Sequence, residues 1–177
     1  STTGYNNSDM LVIRYQAGET YINSGISDQT MINCSGSSQS TAITSTERML
    51  SVFHIAVNAD TNEPSLMCTW VNDAGTWSTK PLISGVESLQ LLYGTDGVTA
   101  GAAPTATEDS FPDSYLRADQ LTVASNNAAT LANWRRVRSI RVGMVIRGPA
   151  GSAPEKTVPA QYPLGAEGVM NIAADTG

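Results

Sequence analysis

The sequence predicts an α+β protein that is mostly antiparallel β-sheet and contains little helix. Several segments alternate apolar and polar residues with the period of a β-strand. No long helical spacer separates these segments, and this arrangement favours antiparallel over parallel pairing. With 177 residues, of which 41% are hydrophobic and 15% are charged, the chain is expected to fold around one core.

The first half of the chain contains strand candidates and one turn. Met10 to Ala17 reads as a strand with one strongly apolar face, and Leu50 to Asn58 as a central strand with two largely apolar faces. Ser65 to Val71 is a shorter strand candidate. The cluster from Asn72 to Gly75 predicts a turn, after which Trp77 is expected to begin the partner strand of a hairpin.

The second half adds a strand and a short helix. The tight Ser84-Gly85 turn leads into a strand from Leu89 to Tyr93, which Gly94 is expected to close. Asn126 and Asn127 are candidate helix caps. The apolar residues that follow them at helical spacing predict two helical turns and are Leu131, Trp134 and Val137.

The clearest strand lies near the C-terminal end. Its apolar residues share one face, which is expected to be buried, and are Ile140, Val142, Met144 and Ile146. Arg141 and Arg147 fall on the other face. Pro, Gly and Ala are frequent from Gly148 onward, which predicts a loop-like end. We therefore expect a β-rich globular part over residues 1–148, with 149–177 as a Gly/Pro-rich C-terminal segment of the same domain.

The charges are unevenly distributed. A formal net charge of −6 argues against direct nucleic-acid binding, which needs a basic field to neutralise phosphates. Half of the basic residues form a short strip in the sequence, namely Arg135, Arg136, Arg138, Arg141 and Arg147. A region without basic residues carries Glu87, Asp96, Glu108, Asp109 and Asp113. The molecule is therefore expected to have a positive strip and a negative lobe.

Four of these acidic residues are candidate calcium ligands, namely Asp96, Glu108, Asp109 and Asp113. Calcium takes several oxygen ligands from flexible loops, and carboxylates supply them. The spacing does not match an EF-hand, so solvated loops are the alternative. We expect no other cofactor.

Residues for catalysis are scarce. His54 is the single histidine, and it lies within an apolar strand pattern. The sequence contains no Gly-x-Ser-x-Gly motif, so no nucleophile, base and orienting group can be assigned. The three tryptophans are too scattered in sequence to predict a sugar-stacking platform. We expect neither an enzyme nor a small-molecule substrate.

The two cysteines, Cys34 and Cys68, are not spaced like zinc ligands. A disulfide is expected if the protein is exported, and two buried free thiols if it is cytosolic. The sequence has no apolar run long enough to span a membrane and no recognisable signal peptide.

Segments in a specific order and spacing cover most of residues 8 to 148. The first of these segments is Ser-Asp-Met-Leu-Val-Ile-Arg-Tyr at Ser8 to Tyr15, and the second is the strand at Leu50 to Val57. Pro81 to Asp96 and Trp134 to Arg147 complete the order. Together these segments resemble PilW-type minor pilins of type IV pili. The turn Gly-Val-x-x-Leu is also similar to one in the related J-type pseudopilins of type II secretion.

The resemblance implies a pilin-like or pseudopilin-like globular head. Asn33-Cys34-Ser35-Gly36 and Leu66-Met67-Cys68 resemble the two half-cystines of the family, which implies a disulfide between Cys34 and Cys68. Family members also carry a basic leader and a long apolar helix. This sequence shows neither, so we expect a soluble head whose N-terminal transmembrane helix is absent. The family's basic last strand is not matched by Asp175 to Gly177, so that strand is either missing or diverged.

The same resemblance implies that the protein functions through its binding surfaces and has no catalytic residues. It implies an inner-membrane protein with a periplasmic head that later joins the extracellular pilus. Its partners would be other minor pilins and a tip adhesin, and its function would be assembly that supports adhesion, twitching motility or DNA uptake. A type II secretion pseudopilin, and a tip adhesin or glycan-binding module, are the alternatives.

Subunits that pack around a fibre would meet through complementary charged patches on opposite sides. Arg136, Arg138 and Arg141 are the candidates for the positive patch, and a solvated outer face of a strand is the alternative. On that hypothesis, reversing the three arginines to Glu leaves the head folded, because exposed charges contribute little to stability.

Overall fold

The computed structural model describes residues 4–39, 48–72, 74–105, 107–148, 151–152 and 161–165. A short 3₁₀ turn spans Tyr5–Asn7. The strands are β1 (Leu11–Tyr15), β2 (Met49–Asn58), β3 (Glu63–Val71), β4 (Trp77–Ser84), β5 (Val86–Thr95), β6 (Ser114–Leu116) and β7 (Val137–Ile146), and the helix is α1 (Asn127–Arg135). The chain divides into two compact units, Ser1–Ser88 with Ile146–Ala153 and Leu89–Val145 with Pro154–Gly177.

The first unit contains a four-stranded antiparallel sheet in the order β1-β2-β3-β4. Phe53 of the central strand β2 lies opposite Leu11 on one side and Cys68 on the other. The loop after β1 is attached to this sheet by side chains. The Tyr15 hydroxyl donates to the Ile32 carbonyl at 2.6 Å, and Cys34 is joined to Cys68 of β3 by a disulfide.

The second sheet has the order β6-β5-β7. The central strand β5 is buried almost throughout, and Leu92 is 1% exposed. The helix α1 begins where the side chain of Asn126 accepts a hydrogen bond from the Ala129 N–H at 3.0 Å. Trp134 on α1 packs edge-on against Tyr93 of β5, with ring centroids 4.8 Å apart.

The predicted fold class is confirmed, since the described residues form mostly antiparallel strands and one α-helix. No helix in the described ranges has the length and apolar character that crossing a membrane requires. The predicted helix extended two residues too far, because α1 ends at Arg135 and Val137 begins β7. The Arg136 carbonyl already accepts a sheet hydrogen bond from the Asp96 N–H at 3.1 Å. The short strand β6 was not predicted, because three residues are too few to show a period.

One prediction about burial is wrong. The apolar face of β7, expected in the core, is partly exposed: Ile140 by 42%, Val142 by 50%, Met144 by 38% and Ile146 by 53%. An antiparallel sheet buries a face only where another element packs on it, whatever the apolar character of its residues. On the opposite face Gly143 is buried, and a Cβ there would lie 2.7 Å from Leu164 Cγ.

Candidate partner-binding site

A buried carboxylate lies directly after β5 in the second unit. Asp96 is 1% exposed and accepts a hydrogen bond from the Ser110 N–H at 2.9 Å. The Asp109 N–H approaches its other oxygen at 3.4 Å. Arg138 of β7 donates to the carboxylate at 3.2 Å through Nη2. The end of β5 is thereby connected to both β7 and the loop before β6.

The ionisation of Asp96 follows from these partners. Burial by itself raises the pKa of the Asp96 carboxyl, because removal from water disfavours the charged form. The hydrogen bonds from Ser110, Asp109 and Arg138, together with the Arg138 charge, outweigh burial and hold the pKa below its usual value. The carboxylate is therefore charged and bound at neutral pH.

Glu108, whose side chain is exposed, forms ion pairs with the same arginine and with Arg136. Its carboxylate lies 3.0 Å from Arg138 Nη2 and 3.5 Å from Arg136 Nε. The positive strip and the negative lobe therefore meet, and the expectation of charged patches on opposite sides is wrong for Arg136 and Arg138. The physical reason is topological. Asp96 follows β5 and Arg136 precedes β7, so the antiparallel pairing of these neighbouring strands brings the two residues together.

The remaining calcium candidates bind backbone amides. Asp113 accepts from the Gly97 N–H at 2.7 Å, and Asp109 accepts from the Phe111 N–H at 2.9 Å. Within the described ranges, no group of three or more His, Cys, Asp or Glu residues is placed to hold a metal ion. These carboxylates act in this structure as acceptors for the backbone amides of Gly97 and Phe111.

This loop presents an aromatic side chain that sequence reasoning missed. Phe111 is 71% exposed, although both of its neighbours in the chain are fixed. Ser110, with a φ of 69°, is held through its N–H by Asp96. On the other side, Pro112 packs against Gly94 of β5. The Pro112 Cβ lies 3.1 Å from the position that a Cβ on Gly94 would occupy. A lone aromatic between acidic residues in a stretch without periodicity was the available signal.

Arg141 lies against the strand that follows this loop. Its guanidinium carbon is 3.5 Å from the ring centroid of Tyr115 on β6, a stacking geometry typical of cation–π contacts. Ser139 donates a hydrogen bond to the Tyr115 hydroxyl at 3.3 Å. That bond and the Arg141 guanidinium lower the pKa of Tyr115 from its usual value, although burial opposes the change.

Close packing at Gly94 brings Ser139, Tyr115 and Pro112 together. A Cβ on Gly94 would collide with Ser139 Oγ and would lie 2.9 Å from Tyr115 Cε1 and 3.1 Å from Pro112 Cβ. We define the Phe111–Arg141 surface by its members, which are Phe111, Pro112, Tyr115 and Arg141. Of the three arginines considered from the sequence, Arg141 is the most exposed, and Arg136 and Arg138 are largely buried.

The other candidate residues lie in the first unit. His54 Nε2 is 2.9 Å from Thr69 Oγ1, a contact across neighbouring strands. The disulfide between Cys34 and Cys68 is present, as the resemblance implied. Arg147 forms ion pairs with Glu63 and Glu87. The hydrogen bond to Glu63 and the two negative charges raise the pKa of Arg147, although burial opposes them.

The comparison with known families decides the class of the protein. A family model described as Type IV Pilus-assembly protein W matches residues 52–175. The chain belongs to this family. The matched region includes the whole Phe111–Arg141 surface and excludes β1 and Cys34. Members of the Type IV Pilus-assembly protein W family take part in type IV pilus assembly, and the family is not known as one of enzymes. No curated protein and no solved structure matches the chain.

Proposed function

We propose that the protein is a minor pilin that acts as a structural subunit in the priming or tip complex of a type IV pilus. Its partners on this proposal are other minor pilins and a tip adhesin, and it supports adhesion, twitching motility or DNA uptake. The head is periplasmic on the inner membrane before assembly and extracellular afterwards. Residues 1–148 provide a single functional head, with the remaining segment as part of it. Membership of the family supports the class, and the Phe111–Arg141 surface supports a role in protein binding.

The observation that carries the proposal is the exposure of Phe111 on a loop whose ends are fixed. An aromatic side chain that is 71% exposed leaves a large apolar area in water. Its backbone is held by buried Asp96 and by Pro112 at Gly94, so binding requires little further ordering of the loop. Aromatic and arginine side chains dominate the binding energy of many protein interfaces. This surface offers both.

The roles of the three arginines differ on this proposal. Arg138 and Arg136 have side chains only 23% and 14% exposed, and they hold Asp96 and Glu108 in the loop network. They are positioning residues for the loop. Arg141 is exposed and is kept in place by the Tyr115 ring. It is the arginine expected to touch a partner, whose complementary surface has an apolar pocket for Phe111 and an acidic group for Arg141.

The test is binding of the purified head to the minor pilins encoded with it. Phe111→Ala and Arg141→Glu are each expected to weaken binding about tenfold or more, because a central anchor or a paired charge is lost. Circular dichroism is expected to show an unchanged fold for both variants. Cells that carry the double variant are expected to show fewer surface pili.

Leu131→Ala is the matched control, since Leu131 is an apolar residue of the same unit that is 58% exposed on α1. It is expected to bind like the unmodified protein. Normal affinity and normal piliation of the Phe111→Ala, Arg141→Glu double variant would reject this surface as the partner-binding site.

A further inference from the structure

A cavity in the first unit lies at the end of the sheet where β2 begins and β3 ends. It has a volume of about 280 Å³ and is open to solvent. One wall is the loop that contains Asn33 and Ser38, and another is the turn that contains Asn72 and Gly75. The start of β2 and Trp70 of β3 also line the cavity. The residues that line it belong to the first unit, whereas those of the Phe111–Arg141 surface belong to the second.

Both walls are held in place by side-chain hydrogen bonds. Asn33 Oδ1 accepts from the Ser35 N–H at 2.9 Å and from the Ser37 N–H at 3.2 Å, which fixes the first loop in a tight turn. Asn72 Oδ1 accepts from the Ala74 and Thr76 N–H groups, each at 3.0 Å. These two turns are therefore ordered before a ligand binds, which reduces the entropy lost on binding.

The base of the first wall is tied to the sheet. The disulfide joins Cys34, next to Asn33, to Cys68, two residues before Trp70. The Cys34 N–H also donates to Ser51 Oγ on β2 at 2.9 Å. From β4, Lys80 Nζ donates to the Ser35 carbonyl at 2.6 Å and lies 5.8 Å from the Trp70 ring centroid. These contacts fix the distance between the first wall and the indole.

The lining combines three kinds of chemistry. Trp70 is half-buried and supplies an aromatic surface, to which Met49 and Val71 add aliphatic groups. The side chains of Ser37, Ser38 and Gln39 supply hydroxyl and amide groups. Arg48 is exposed, and among the described lining residues it is the charged one. A guanidinium binds a planar carboxylate through two parallel hydrogen bonds.

We propose that this cavity binds an acidic sugar, a single saccharide ring that carries a carboxylate. The ring's apolar C–H face fits against the indole, its hydroxyls meet the serine and amide groups, and its carboxylate meets Arg48. The volume lies just below the usual range of roughly 300–1,000 Å³ for ligand pockets, which suits one ring better than an extended peptide. The proposal concerns a binding site and does not depend on the partner surface described above.

The test is titration of the purified 177-residue chain with glucuronic acid, glucose and acetate, followed by calorimetry and ligand-observed NMR. Glucuronic acid is expected to bind about tenfold more tightly than glucose, because it alone combines the ring with the charge. Arg48→Gln is expected to reduce the affinity for glucuronic acid to that for glucose and to leave glucose binding unchanged. Trp70→Leu is expected to abolish binding of both sugars.

Two exposed residues of the same unit provide matched controls. Trp77, which is 62% exposed, and Arg14 of β1, which is also exposed, are not among the described residues that line the cavity. Trp77→Ala and Arg14→Gln are expected to bind glucuronic acid normally. If Trp70→Leu fails to fold by circular dichroism, Arg48→Gln alone decides the outcome.

Three results would overturn the proposal. The first is absence of binding of either sugar, and the second is unchanged glucuronic acid binding by Arg48→Gln. The third is binding of acetate as strong as that of glucuronic acid, which would show a charge contact without recognition of a ring. A glutamate-containing dipeptide that bound more tightly than glucuronic acid would assign the cavity to an acidic peptide instead.

Discussion

Arg138 Nη2 lies 3.2 Å from the carboxylate of Asp96, although the two residues are 42 positions apart in the sequence. This ion pair is largely removed from water, since Asp96 is 1% exposed. A buried pair is sensitive to loss of one partner, because the remaining charge then lacks solvation. Several properties of the second unit are expected to depend on this contact.

Arg138→Glu is expected to destabilise the protein. The substitution adds a third carboxylate beside those of Asp96 and Glu108 and removes the cation that the two share. We expect the melting temperature to fall by about 10 °C, measured by thermal unfolding at pH 7. Arg141→Glu is the matched control, because Arg141 is exposed and is expected to change the melting temperature by about 2 °C or less. Equal melting temperatures for the two variants would contradict a stabilising role of the buried pair.

Stability is expected to fall in acid. The pKa of Asp96 is lower in the folded protein than in the unfolded chain, so the unfolded chain binds the proton more readily. The stabilisation is therefore complete above the unfolded value of 3.8 and is lost as the pH falls through the lower folded value. The lowered pKa of Asp119, caused chiefly by its hydrogen bond from Arg117, acts in the same direction.

Asp96→Asn separates the contribution of this carboxyl from the others. Denaturant unfolding at several pH values between about 2 and 7 is expected to show a lower stability of the variant at pH 7 and a shallower decline in acid. The same slope for the variant and the unmodified protein would show that other carboxyl groups control the acid response.

Gly94→Ala is expected to destabilise the protein by about 1 to 3 kcal/mol through overpacking. The added Cβ collides with Ser139 Oγ and lies 2.9 Å from Tyr115 Cε1, on a strand that is buried on both sides. Denaturant unfolding measures the loss. The double variant Gly94→Ala, Ser139→Ala removes one collision and is expected to recover part of the stability. A neutral effect of Gly94→Ala would contradict the close approach seen here.

Loss of the disulfide is expected to lower the free energy of unfolding by about 3 to 4 kcal/mol in the chain-entropy model. The bridge closes a loop between residues 34 positions apart and attaches that loop to β3. Denaturant unfolding with and without reductant measures the difference, and the Cys34→Ala, Cys68→Ala double variant serves as the control that reductant does not affect. Two alkylatable thiols in freshly purified, non-reduced protein would refute the bridge.

The main strands could be predicted because each has enough residues to display a period. Leu50 to Asn58 was predicted and β2 spans Met49–Asn58, while the predicted turn from Asn72 to Gly75 does separate β3 from β4. Asn126 was predicted as a cap and accepts the hydrogen bond from Ala129. These features are local, since the residues that cause them lie within a few positions of one another.

The type of a residue was a poor predictor of whether its side chain is exposed. The four apolar residues of β7 were expected in the core, but each is at least 38% exposed. Arg138 was expected at the surface but neutralises a buried carboxylate. Asn133, which sequence reasoning passed over, is 0% exposed and donates to the carbonyls of Ala102 and Leu121. The exposure of a side chain depends on which elements pack together, and the residue pattern of a single element does not predict that packing.

The sequence by itself determined the class of fold, the order of the main strands and, through its resemblance to a family, a place in pilus assembly. Tertiary structure alone decided which charged residues form ion pairs, which aromatic side chain is exposed at the surface and where a cavity forms. The reason is distance along the chain. Periodicity and turn chemistry operate between neighbours, whereas the contacts of Asp96 with Arg138 and of Cys34 with Cys68 join residues more than 30 positions apart. Such contacts depend on how distant segments of the chain pack together.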